Sequence, residues 1–135
     1  PSTVAVVPVG SAGVAPIVAR ELGGAFERAD VRVRLVKGSP TATKFRVAVP
    51  DDAAVVVSCE PLDLGMGAAY IANNADVTVV CVRELTDSKK QLAATLKELE
   101  LAKANIVGIA YLPEEKKMAK TAKLKDSNRA EEPMK

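Results

Sequence analysis

At 135 residues the chain has room for one domain with its own core. It is 48% hydrophobic but only 3% aromatic and has no Trp, so the core must be Val, Ala, Leu and Ile. Residues 114–135 carry seven basic and five acidic side chains, which accounts for the whole net charge of +2; the neutral remainder offers no electrostatic footprint for nucleic acid. The chain has no His, which excludes a His-ligated zinc site and a His-based triad.

Val4–Val9 is an apolar run that reads as a buried strand ended by Gly10. Val14, Val18, Leu22 and Phe26 then recur at helical spacing, and Gly23-Gly24 weaken that helix near its end. Val31–Val36 sets Val33 and Leu35 against Arg32 and Arg34, the alternation of a strand near a sheet edge. Gly38-Ser39-Pro40 breaks it, and Thr43–Val49 alternates again as a further short strand. Asp51-Asp52 lead into Ala53–Val57, a continuous apolar run typical of a central parallel strand.

After Pro61, Leu64–Ala72 suits a short helix closed by Asn73-Asn74. Val77–Val82 is the next buried strand. Thr86 or Asp87 is expected to cap an amphipathic helix that carries Leu92, Leu96 and Leu99 on one side. Ile106–Tyr111 is the last strand, ended by Pro113. Strands alternating with helices at this spacing predict right-handed crossovers and an open, mainly parallel sheet with helices on both faces, a three-layer α/β fold.

The expected organisation is an α/β domain over 1–113 and a lysine-rich tail over 114–135, frayed or solvated. Lys116–Lys125 holds five lysines and no acid, so weak contact with anionic lipid headgroups is the alternative, each lysine contributing up to ~1 kcal/mol near such a surface. Cys59 and Cys81 sit in or beside Val-rich runs and read as buried, reduced thiols of a cytosolic protein. No apolar run approaches the roughly 20 residues of a membrane span. The chain starts at Pro1, which fits either a removed initiator Met or a domain of a longer polypeptide.

Open parallel sheets bind ligands beyond the carboxyl ends of their strands. That rim comprises Gly10–Ala15, Lys37–Pro40, Ser58–Leu62, Arg83–Asp87 and Leu112-Pro113. The opening strand, small-residue turn and helix have the frame of a phosphate cradle. Where a phosphate loop needs a lysine and a hydroxyl, however, the chain has Val14, Ala15, Pro16 and Ile17. The candidate ligand-binding residues are Gly10, Ser11, Gly13, Ser58 and Arg83, the first three as amide donors at a helix start. Asp51, Asp52, Glu60 and Asp63 match no metal-loop spacing, so no metal and no resident cofactor is expected.

The segment "ADVTVVCVRELTDSKKQLAATLKELELAKANIVGIAYL" (Ala75–Leu112) resembles the closing part of the bacterial tyrosine kinases and chain-length regulators of exopolysaccharide synthesis, P-loop ATPases of the MinD/ParA type. "DDAAVVVSCEPLDLG" (Asp51–Gly65) is similar to that family's "yDyviiDtPPvlg", and the likeness extends back to Val4. The resemblance implies the P-loop fold with degenerate Walker motifs. The Walker A Lys-Ser/Thr pair falls near Ala15-Pro16, the Walker A′ aspartate at Lys37 and the Walker B aspartate at Ser58. The asparagine that contacts the base falls at Leu112, and the kinases' tyrosine-rich tail is replaced by a lysine-rich one.

Without the lysine the terminal phosphates lose their fixed cation, and without the aspartates magnesium loses its anchor. The resemblance therefore implies a non-catalytic pseudo-ATPase: an interaction or regulatory module of exopolysaccharide or capsule biosynthesis. It would be cytoplasmic, at the inner face of the membrane, with membrane contact through a fused or partner protein. Its partners would be proteins of a polysaccharide-assembly complex, a homo-oligomer among them, and not nucleic acid. Two alternatives stay open: a nucleotide or sugar-nucleotide sensor binding phosphate at Gly10–Ala15, and an ATPase or tyrosine kinase completed by a partner.

Overall fold

Val4–Val9 is buried at every position, a pattern available only to a strand with neighbours on both edges and cover on both faces. The computed structural model describes residues 2–10, 13–41 and 52–114. The readings made for Ser11, for the strand at Thr43–Val49, for Asp51 and for the tail beyond 114 lie outside the described residues.

The elements in chain order are β1 (Ser2–Pro8), α1 (Val14–Arg28), β2 (Arg32–Lys37), β3 (Ala53–Ser58), a 3-10 turn at Leu62–Leu64, α2 (Gly67–Asn74), β4 (Val77–Arg83), α3 (Lys89–Leu101) and β5 (Ile106–Leu112). Among the described residues, five strands form one sheet in the order β2-β3-β1-β4-β5, and every pairing is parallel. Of these β2 lies at one edge, as its alternation predicts. The strand β1 lies at the centre, with Val6 paired to Ser58 on one side and Val79 on the other.

The helices divide between the faces. Val14, Ala15, Val18 and Ala19 of α1 pack with Val4, Val6, Val56 and Cys81 on one face. Ala68, Ile71 and Ala72 of α2 and Leu99 of α3 pack with Val7, Val57 and Val80 on the other. This is a three-layer α/β architecture with a parallel central sheet. The alternation of apolar side chains within β1 sorts them between the two cores, because successive residues of a strand face opposite ways.

One element here departs from expectation, and two glycines make contacts that the sequence did not reveal. The helix after Pro61 is broken in two: Gly65, at φ +149°, separates the 3-10 turn from α2. A Cβ on Gly67 would overlap the backbone of Ser39 and Pro40, so the absence of a side chain lets the β2–β3 connection pass over the start of α2. Gly23 does not end α1, which continues to Arg28. A Cβ there would lie 3.2 Å from Leu35 Cδ2 and 3.3 Å from Val33 Cγ1, so the glycine permits close packing of helix on edge strand.

The N-cap of α3 is Ser88, not Thr86 or Asp87. The Gln91 amide donates to Ser88 Oγ at 3.1 Å, and the Ser88 amide donates to Gln91 Oε1 at 2.7 Å, a reciprocal capping box. Asp87 is used elsewhere, accepting from the Arg83 amide at 2.8 Å.

Candidate functional site

The described strands all run the same way, so their carboxyl ends share one rim, and the described candidates Gly10, Gly13, Ser58 and Arg83 lie on it. The β1–α1 turn is at its centre. Gly13 caps α1 at φ +85°, a left-handed conformation that favours glycine. No side chain caps the helix, and its first turn has no acidic residue. The backbone amides of that first turn therefore have the polarity that favours an anion.

The side chains do not complete a phosphate cradle. Val14 and Ala15 are 0% and 1% exposed, packed into the core between α1 and the sheet, where a phosphate loop would present polar groups to its ligand. Gly10 is exposed, but a Cβ on it would come within 3.2 Å of Asp87 Oδ1 and of Gln91 Nε2. The turn thus runs beside a carboxylate from the β4–α3 loop.

The remaining candidates flank the turn on opposite sides. Ser58 ends β3 and is half-buried. Arg83 ends β4 and is buried, its guanidinium donating to the Pro113 carbonyl at 3.1 Å beside the end of β5. The structure therefore places Ser58 towards β2 and Arg83 towards β5, with β1 between them. Cys59 follows Ser58 and is buried; burial pushes its thiol up to about 12, so it stays protonated and is a poor nucleophile at neutral pH. Both cysteines are free.

Two of the small cavities at this rim bear on the candidate residues. One, of about 240 Å³, lies against Gly10 between the 3-10 turn and α3, and is lined by Asp63, Gln91, Thr95 and Glu98 among others. The second, of about 260 Å³, lies between α1 and the ends of β2 and β3. Pro16, Ala19 and Arg20 line it from the helix and Leu35, Lys37 and Ser58 from the strands. Among the described residues, the first is lined by carboxylates and no cation, the second by cations and no carboxylate.

Sequence reasoning missed Arg20. Its signal was the i, i+3, i+4 spacing of Pro16, Ala19 and Arg20 next to the core stripe of α1. Among the described residues, no group of three or more His, Cys, Asp and Glu is placed to hold a metal ion, and no helix is long and apolar enough to cross a membrane.

No family model and no curated protein sequence matches the chain. Among solved structures it is similar to the BceF tyrosine kinase domain, with a TM-score of 0.62 at 12% identity, over 84% of this chain and 69% of that one. The hydrogenase maturation factor HypB from Archaeoglobus fulgidus aligns with a TM-score of 0.33 at 15% identity, over 80% of each chain. The fold assignment rests on the first. The chain has a P-loop-like α/β fold of the kind found in a bacterial tyrosine kinase domain.

Proposed function

We propose that the chain is a non-catalytic, P-loop-like module, cytoplasmic and held at the inner face of the membrane. There it makes regulatory contacts within a complex that assembles exopolysaccharide or capsule. The observation that carries this reading is the burial of Val14 and Ala15 in the α1 core. A hydrolytic P-loop needs a cation and a hydroxyl within the first turn of that helix, and magnesium needs a fixed acid at the strand ends. Here the first turn is Val14, Ala15, Pro16 and Ile17, and β2 and β3 end in Lys37 and Ser58.

Contact with a protein partner is supported at the far edge of the sheet. Val107, Ile109 and Tyr111 of β5 are 58%, 37% and 56% exposed, an apolar row on a strand whose one partner among the described residues is β4. The likeness to the BceF tyrosine kinase domain supports the P-loop-like fold, and the resemblance of Ala75–Leu112 supports the link to polysaccharide assembly.

The test is phosphate release from Mg-ATP by the purified chain, alone and with whatever protein co-purifies. No turnover above background is expected from the chain alone. Turnover by the chain alone, lost when the Gly10–Ala15 turn is altered, would overturn the non-catalytic reading. Turnover only with the partner would make the chain one component of a shared ATPase or kinase.

A further inference from the structure

We propose that the cavity between α1 and the carboxyl ends of β2 and β3 binds a small phosphate monoester without a metal ion. This goes beyond the contact role above and stands whether or not the chain turns over ATP.

Charge selects the cavity. Arg20 reaches it from the second turn of α1 and Lys37 from the last residue of β2, with the Ser58 hydroxyl between the two elements. Among the described residues no carboxylate lines it, and neither Arg20 nor Lys37 has an ion-pair partner. Two cations with no acid repel a divalent metal and attract a dianion. The neighbouring cavity against Gly10 has the reverse sign, with Asp63 and Glu98, so it disfavours the same ligand.

Geometry narrows the ligand class. Arginine offers a planar fork of donors that matches phosphate oxygens, lysine a point charge, and serine a hydroxyl that donates or accepts. Pro16, Ala19 and Leu35 provide an apolar wall on which the body of an ester can rest. At about 260 Å³ the space suits a phosphate with a small attached group rather than a whole nucleoside triphosphate. The frame is rigid: Ala15, Val18 and Ala19 anchor α1 in the core, and Lys37 and Ser58 are paired in the ladder.

The experiment titrates inorganic phosphate into the full 135-residue chain. Backbone amide shifts are followed by NMR, with chloride at equal ionic strength as control and EDTA present throughout. Saturable shifts centred on Arg20, Lys37 and Ser58 are expected. Arg20→Gln and Lys37→Gln should each weaken the affinity about fivefold and the double variant about 25-fold, the range for solvent-accessible charge pairs. Arg20→Lys, which keeps the charge but loses the planar fork, should bind more tightly than Arg20→Gln and less tightly than the parent. Both side chains are exposed, so the variants' thermal unfolding should match the parent and exclude misfolding as a cause. Absence of saturation, shifts centred on residues 10–14 instead, binding that appears only when magnesium replaces EDTA, or full affinity in the double variant would each overturn the proposal.

Discussion

Lys37 and Ser58 are register partners at the carboxyl ends of the adjacent parallel strands β2 and β3, so both side chains leave the sheet on the face that α1 covers. Neither is part of the packed core. Lys37→Ala and Ser58→Ala should therefore each change unfolding free energy by less than ~0.5 kcal/mol, as for surface substitutions. Val6→Ala, one position inside the same sheet and 0% exposed, should cost roughly 2 kcal/mol or more through lost transfer energy and a cavity. Denaturant unfolding of the three variants checks the contrast.

Gly67 and Gly24 should respond to alanine with opposite signs. The Gly67 amide donates to the Pro40 carbonyl at 2.9 Å, and a Cβ there would run into the backbone of Ser39 and Pro40, which has no rotamer to escape by. Overpacking of up to about 3 kcal/mol outweighs the helix-propensity gain of at most ~1 kcal/mol. At Gly24 the nearest atom to the new Cβ would be the mobile Arg28 Nη1 at 3.4 Å, so the propensity gain should dominate and the melting temperature should rise.

Thr78 is fully buried in β4, and its Oγ1 has no hydrogen-bond partner among the described residues. An unsatisfied buried hydroxyl costs about 1–3 kcal/mol, and valine fills the same shape without it. Thr78→Val should raise the urea midpoint with an unchanged slope, a gain of about 1 kcal/mol. A lower midpoint would mean that the hydroxyl has a partner in solution.

Much of this fold was legible because its physics is local. The uninterrupted apolar runs at β1, β3 and β4 can only be strands covered on both faces, and the alternation at Arg32–Lys37 marks an edge. The Ser88–Gln91 capping box was also written in the sequence, as Ser and Gln three residues apart, but the acidic Asp87 drew the assignment instead. The roles of Gly23 and Gly67 were not legible, because each depends on a chain segment arriving from elsewhere. Arg20 and Lys37 are 17 positions apart, and only the α1 crossover and the β2–β3 register place them on one cavity.

Alkaline pH should weaken the fold through its two thiols. Burial raises both Cys59 and Cys81 from the usual 9.0 to about 12, and for Cys81 the nearby Cys59 adds to the effect. The folded values lie above the unfolded ones, so the stability tied to these thiols is fully present below pH 9 and is lost as pH rises towards 12. Replacing both with alanine should lower stability at neutral pH yet flatten its decline over that window. On the acid side, the Arg32 guanidinium holds the Asp52 carboxyl below its usual value. That contribution is present above the unfolded value and lost as pH falls through the folded one. The pair is fully solvated, so screening leaves it little weight.

Restoring the missing phosphate-loop groups should damage the fold before it creates an enzyme. Ala15 is 1% exposed within the core that joins α1 to β1 and β3, so Ala15→Lys inserts an ammonium where no acid waits for it. It also places that charge at the positive end of the α1 dipole. The expected loss is about 3 kcal/mol, the scale of an uncompensated buried charge. Adding Pro16→Ser and Ser58→Asp supplies a hydroxyl and one acid, but β2 still ends in Lys37, whose charge opposes magnesium. The triple variant should be less stable than the parent and release no phosphate from Mg-ATP above background. Turnover by that variant would mean that only these three side chains separate the chain from an ATPase, and that the packing around Ala15 adapts to a lysine.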